Sequence, residues 1–234
     1  MKYMISTTSR RIAATVSVTL LSLSGLSAAT AAPAAATMPP LAAPPAGEYQ
    51  IDKAHASLQF RVSHLGFSTY TSRFSRFEAA LTFDPANLSA ARVVTTIDAS
   101  SVEMDAAPPE CLNIVRGPQL LDTAKFPQIV FRSETVRVTG GKSIEIIGTL
   151  TLHGVTRPLV LTATFNGGYP GMPKLDPHAR VGFSAHGAFK RSDFGMAFGI
   201  PAAGTTMGVG DLIDVSIEAE FTGPALVAPT ADPH

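Results

Sequence analysis

Segments in which apolar and polar residues alternate one by one recur along this chain, and a period of two is met by strands that bury a single face. Leu58, Phe60 and Val62 alternate with Gln59, Arg61 and Ser63. Phe77, Ala79, Leu81 and Phe83 form a second such row, Val93, Thr95 and Ile97 a third, and Ile129, Phe131 and Ser133 a fourth. The fifth runs through Ile144, Ile146, Gly148, Leu150 and Leu152, and the sixth through Leu159, Leu161, Ala163 and Phe165. Val181, Phe183, Ala185, Gly187 and Phe189, then Ile213, Val215, Ile217, Ala219 and Phe221, complete the set. Turn signals stand between them, among them Asp84-Pro85, Gly140-Gly141 and Asn166-Gly167-Gly168. Eight such segments imply an all-β sandwich or barrel, and alternation alone does not choose. The apolar faces mix large residues with Ala79, Gly148, Ala163, Ala185, Gly187 and Ala219, small residues that leave space. That favours an eight-stranded antiparallel barrel wide enough to hold one small ligand.

The clearest local unit is Gly148 to Leu161, two alternating runs on either side of a glycine-containing break, which predicts a β-hairpin. Gly154 supplies the backbone freedom of the turn, and Pro158, lacking an N–H, belongs at the first residue of the second strand. The turn is thereby assigned to His153 through Arg157. One region breaks the strand pattern. Pro108-Pro109-Glu110-Cys111-Leu112-Asn113-Ile114-Val115 and then Gly117 to Asp122 carry prolines at first-turn positions and apolar residues three and four apart. This predicts one or two short helices near residues 108–122, placed to cap a barrel mouth.

The N-terminus reads as an export signal. Lys2, Arg10 and Arg11 precede an uncharged run from Ile12 to Ala36 that ends in small residues including Ala29-Thr30-Ala31, the layout of a cleavable signal peptide over residues 1–36. An Ala/Pro-rich linker follows over 37–47, then one domain of ordinary size over 48–223 and a flexible tail over 224–234. A periplasmic or secreted protein without an integral membrane span after processing is expected. The first 47 residues hold three basic and no acidic residues, so 15 Lys and Arg then face 18 Asp and Glu, a net charge of −3. A nucleic-acid partner, which wants a basic field, is excluded on that ground. Cys111 is the only cysteine; it cannot bridge within the chain and reads as a small buried hydrophobe.

The hairpin Thr151-Leu152-His153-Gly154-Val155-Thr156-Arg157-Pro158 and the later Lys190-Arg191-Ser192-Asp193-Phe194-Gly195 together resemble the YceI-like family, lipocalin-like polyisoprenoid-binding proteins of the bacterial periplasm. Tyr49-Gln50-Ile51-Asp52 with His55, His64-Leu65-Gly66, Phe83-Asp84-Pro85, Lys125-Phe126-Pro127 and Phe131-Arg132-Ser133 extend the likeness over Glu48 to Phe221. The resemblance implies a lipocalin-like barrel that binds a polyisoprenoid or similar long-chain lipid, without a cofactor. The chain departs from it at Pro108 to Asn113, where the family carries a charged run.

Catalytic and metal chemistry find little support. The six histidines form no H-x-H or H-E-x-x-H pattern, no G-x-S-x-G elbow is present, and Gly141-Lys142-Ser143 sits where a turn is expected. In Arg191-Ser192-Asp193-Phe194-Gly195, turn chemistry accounts for Ser, Asp and Gly. The alternative keeps Arg191 as the partner of a polar head and Phe194 as a gate. Gly195 to Gly208 reads as a long apolar, glycine-rich, mobile loop. Phe60, Val62, Phe77, Leu81, Phe131, Ile146, Leu161, Phe183 and Ile217 share the apolar phase of their strands and in a closed barrel point inward together, where they would contact a lipid chain. An enzyme acting on a lipid or quinone head group, and a stress-responsive barrel with no lipid, stay open as rival readings. The oligomeric state also stays open, a homodimer included. The leader assignment is checked by intact-mass measurement of the cellular protein: the mature form is expected to begin between about residues 31 and 37, and retention of Met1 would overturn it.

Overall fold

Ten strands and one helix make up the computed structural model, which describes residues 43–226. The strands are β1 (Gly47–His64), β2 (Ser68–Phe74), β3 (Phe77–Phe83), β4 (Arg92–Asp98), β5 (Val102–Glu103), β6 (Gln128–Gly140), β7 (Ser143–Leu152), β8 (Val155–Tyr169), β9 (His178–Lys190) and β10 (Val209–Ala225). The helix α1 (Pro109–Arg116) lies between β5 and β6. The proposed signal peptide, most of the linker and the end of the tail lie outside the described residues. β1 begins at Gly47 and β10 continues to Ala225, so the domain runs slightly beyond 48–223 at both ends.

Every pairing is antiparallel, and β10 pairs back onto β1, from Gln50 opposite Thr222 to His64 opposite Val209. That contact closes the sheet. The ring has eight walls because two pairs of short strands each act as one bent strand. β2 and β3 are separated only by Ser75 and Arg76, β4 and β5 only by a 3-10 turn over Ala99–Ser101. The two bends are hydrogen-bonded to each other. Ser75 N donates to Ser101 O, Arg76 N donates to Ser101 Oγ, and Asp98 N donates to Arg76 O, while the Arg76 guanidinium pairs with the Asp98 carboxylate at 2.6 Å. Breaking both strands at one height lets the sheet turn a corner without leaving backbone groups orphaned.

The hairpin is tighter than its sequence suggests. β7 ends at Leu152 and β8 starts at Val155, so the loop is His153-Gly154 alone, both with positive φ (51° and 74°), as a two-residue hairpin turn requires. Pro158 is therefore not the first residue of its strand but the fourth, opposite Thr149. Its missing N–H costs nothing there. Residues flanking a two-residue turn exchange both ladder bonds and the pattern alternates, so Pro158 falls in a non-bonded pair, and β9 joins β8 only from Thr162 onward. The region 108–122 holds one helix. Pro108 is its N-cap and Pro109 its first residue, and the chain after Gly117 continues in turns with Leu121 N donating to Val115 O.

Burial follows the period of two. In β8, Leu159, Leu161 and Ala163 are buried while Val160, Thr162 and Thr164 are exposed. The loops at the two ends differ in kind. At one end, Tyr49, Phe83, Phe165, Phe183 and Phe221 pack edge to face or tilted, with centroid distances of 5.3 to 6.2 Å, and Tyr49 and Phe83 are fully buried. Each such pair adds about 0.5–1.5 kcal/mol beyond its buried area. This aromatic packing stoppers the barrel. The other end carries the β1–β2 turn, α1, the β7–β8 turn and the long β9–β10 connection.

β1 bulges at Asp52–His55, where its register with β10 jumps between Ile51 and Ala56. The bulge is tied down from outside by ions. Arg180 pairs with Asp52 and, at 2.8 Å, with Asp176, and His55 Nδ1 meets Asp52 at 3.0 Å. His55 and Arg180 hold the Asp52 carboxyl well below its ordinary value of 3.8, at about 2. Such a group stabilises the fold wherever it is ionised in both states, and that contribution disappears as pH falls from about 4 through about 2. Glu220 also approaches, so that Asp52, His55 and Glu220 place ligand-type atoms within 4.8 Å of one another, but the guanidinium of Arg180 already serves this cluster. Asp52→Asn is expected to flatten the acid limb of the melting-temperature profile between pH 4 and pH 2, by on the order of 1 kcal/mol after solvent screening. An unchanged acid limb would show that the pair does not stabilise the bulge.

Candidate ligand cavity

Inside the ring lies a cavity of about 810 Å³, running from the aromatic stopper to the end covered by α1 and the β9–β10 connection. Phe60, Val62, Phe77, Leu81, Phe131, Ile146, Leu161, Phe183 and Ile217 all line it, as the phase of their strands requires. Space comes from the alanines. Ala79, Ala163, Ala185 and Ala219 line the cavity, and Ala163 faces Ala185 across the β8–β9 ladder. The two interior glycines expected to leave space do not. A Cβ on Gly148 would lie 2.2 Å from Arg132 O and 2.9 Å from the Phe131 ring, and one on Gly187 would lie 2.7 Å from Leu161 Cδ2. Those glycines accept the large neighbours that their strands place beside them. They permit close packing rather than emptiness.

Arg191 and Phe194 lie at the covered end. Arg191 lines the cavity with 4 % exposure, yet its guanidinium is already engaged: Nε donates to Gly210 O (2.9 Å), one terminal nitrogen to Met196 O (2.5 Å) and Phe198 O (2.8 Å), the other to Val209 O (2.8 Å). Burial pushes its pKa below the ordinary arginine value, with Asp211 opposing. A guanidinium so committed fastens the connection from Met196 to Gly210 to the barrel and has one N–H left for anything else. Asp211 holds the same turn from the other side, accepting from Ser192 N and Ser192 Oγ. Phe194 is buried against Phe189 at a centroid distance of 5.3 Å and does not line the cavity, so it packs beneath the turn instead of gating the mouth.

The sequence motifs that stand out meet here. His153 Nδ1 donates to Phe194 O at 3.0 Å, Arg157 Nε donates to Asp193 O at 3.2 Å, and the Phe126 ring stands 5.0 Å from the His153 ring and over Gly154. The hairpin, the Arg191 turn and the segment before β6 therefore form one knot. Arg132, by contrast, is an exposed strand residue, and His186 is exposed on β9. Cys111 is half-buried and lines the cavity from α1, with Pro108, Ile114 and Val115. Sequence reasoning did not name this cap as lining, and it left β2 out of the alternating rows, although its inward residues Tyr70, Ser72 and Phe74 also face the cavity. Thr69, Tyr70, Thr71 and Phe74 are strand formers and were the available signal. Two inward polar groups are satisfied locally, Tyr70 Oη donating to Asp105 O and Ser72 Oγ to Glu103 O.

Comparison with known proteins agrees on the fold. A family model described as the YceI-like domain matches residues 49–221. A UPF0312 protein of Vibrio cholerae is 34 % identical over 179 residues, 75 % of this chain and 87 % of that protein. Protein YceI of Salmonella arizonae is 40 % identical over 153 residues, 64 % of this chain and 76 % of its own. Among solved structures, a polyisoprenoid binding domain from Saccharophagus degradans superposes with a TM-score of 0.55, covering 76 % of this chain and 99 % of that one, at 15 % identity. At that identity the likeness shows the fold alone.

If Arg191 holds the connection, removing its donors should loosen that segment first. Arg191→Met is expected to cost on the order of 3 kcal/mol, since several carbonyls lose a charged donor. Amide exchange should rise selectively over residues 196–210. Unchanged stability and exchange would mean that the guanidinium is a spare contact, free for a ligand.

Proposed function

The chain belongs to the YceI-like domain family, and on that premise we propose that it is an exported, non-catalytic carrier holding a polyisoprenoid or similar long-chain amphiphile in its barrel, for transport or storage. The cavity is the observation that carries this reading: about 810 Å³ with a lining that is apolar over nearly its whole length. At ~30 Å³ for a group the size of a water molecule, it has room for roughly 25 methylene-sized groups. Burial of each is worth about 0.8 kcal/mol, so a chain that fills even part of the cavity outweighs the cost of association, about 4–15 kcal/mol, without specific polar recognition. The Saccharophagus degradans domain of the same fold is described as polyisoprenoid binding, a ligand class that an apolar cavity of this size would admit.

The rival readings each call for something different inside. A catalytic barrel needs convergent titratable groups; of the described residues that line the cavity, His64, Tyr70, Arg92, Cys111 and Arg191 are ionisable, none is a carboxylate, and Tyr70 and Arg191 are engaged with backbone carbonyls. A barrel without a ligand needs a filled interior. The leader over residues 1–36 supports action in the periplasm or outside the cell, consistent with a partner drawn from a lipid phase.

Filling the cavity separates carrier from packed barrel. Ala185→Phe points a ring into open space and is expected to abolish binding of geranylgeraniol while leaving the melting temperature close to wild type. Ala163→Phe, opposite it on β8 and also lining the cavity, is expected to do the same, whereas a loss of about 1–3 kcal/mol in either variant would mark overpacking of a filled interior. Fluorescence competition and thermal melts with and without the isoprenoid report both. Absence of binding by the wild type would overturn the carrier reading.

A further inference from the structure

The covered end of the barrel exposes apolar side chains that share their elements with the cavity lining. Phe67, at the β1–β2 turn, is 81 % exposed; Met207 is 66 % exposed, and Phe198 on the β9–β10 connection and Ile114 on α1 are each 48 % exposed. Backbone geometry holds them there. Leu65 and Gly66 both have positive φ, Phe67 N donates to His64 O, and Leu65 N donates to Gly208 O, which locks the turn against the connection. Phe198, Ile114 and Val209 also line the cavity. The rim and the lining are thus one continuous apolar surface, wet on the outside. Between Asp193 and Asp211 the chain has no ionisable residue, so immersing this connection strips no charge of its water.

We propose that this rim is a docking surface for a lipid bilayer, with Phe67, Phe198, Met207 and Ile114 inserted at the headgroup–acyl boundary and the cavity mouth opening into the acyl layer. The inference rests on the carrier reading. A protein partner that covered these residues would obstruct the mouth they surround, whereas a bilayer covers them and supplies the ligand through the same opening. Charge attraction is not the drive, because residues 48–234 carry a net charge of −3. Apolar insertion is, and it reaches about 5–10 Å into the interface. A long chain unable to fit its whole length in the barrel would pass from the acyl layer to the interior without crossing water.

The chain contains no tryptophan, so single reporters in the full-length protein read the geometry directly. Phe198→Trp and Met207→Trp place an indole on the rim, and Leu175→Trp places one on the opposite end, at a residue 77 % exposed. With phosphatidylcholine vesicles, emission at positions 198 and 207 should shift to the blue and be quenched by acyl-brominated lipid, at high salt as at low, with position 175 unchanged. The double variant Phe67→Ser with Met207→Ser, neither of which lines the cavity, should still bind geranylgeraniol offered in solution but extract it from vesicles at least about tenfold more slowly, the cost of about 1.4 kcal/mol of lost insertion. No shift at positions 198 and 207, an equal shift at position 175, or a shift abolished by salt would overturn the docking surface. Rim reporters that respond while the wild type binds no isoprenoid would uphold docking and defeat the carrier; isoprenoid binding with silent reporters would do the reverse.

Discussion

Pairing of β1 with β10 is the contact on which the rest of this structure depends. A closed ring has no sheet edge, so backbone donors and acceptors are satisfied around the circumference. The interior is then relieved of polar duties and can be apolar throughout. Eight walls set the diameter, and side-chain volume along the axis decides where the tube is full and where it is empty. Aromatic rings fill the end near Tyr49 and Phe83, while alanines at 79, 163, 185 and 219 leave the middle open.

Closing the ring leaves its ends to be finished by loops, and here the polar residues concentrate. The Asp52–Arg180–Asp176 ions brace the β1 bulge, the Ser101 and Asp98 contacts brace the corner between β2 and β3, and Arg191 with His153 and Asp211 braces the mouth. Almost every residue that makes the sequence recognisable belongs to one of these braces. His153, Arg157, Asp193 and Phe194 hold loops to one another; the cavity-lining positions are mostly ordinary Leu, Ile, Val and Phe. In this chain the motif residues hold the ends of the barrel together, and side-chain volume along its walls shapes the interior.

Much of the barrel was legible because burial on one face imposes a period of two that no other element imitates. All eight alternating segments are walls, and the nine inward residues chosen on phase alone line one cavity. What was not legible depends on long-range packing. Gly148 and Gly187 look like gaps in sequence and are filled in space by Phe131 and Leu161. β2 was not counted among the alternating rows because Ser72 and Tyr70 face inward with their hydroxyls spent on carbonyls of the neighbouring strand and loop, so its inner row does not look apolar. Arg191 invited a ligand role because a lone cation near an apolar cavity looks unpaired until the carbonyls of a connection up to nineteen residues downstream are brought to it.

The edge-to-face and tilted rings at the base have a kinetic meaning for the proposed carrier. They narrow the tube at that end, so a chain held there would leave as it entered, the last segment in being the first out. Discharge would then retrace loading, each step returning a few methylenes to whatever lies outside the opening. Facing water, that retreat climbs steadily in free energy; facing another apolar medium, it is nearly level. A carrier of the proposed kind would need no trigger to distinguish storage from delivery, because its surroundings at the opening would make the choice.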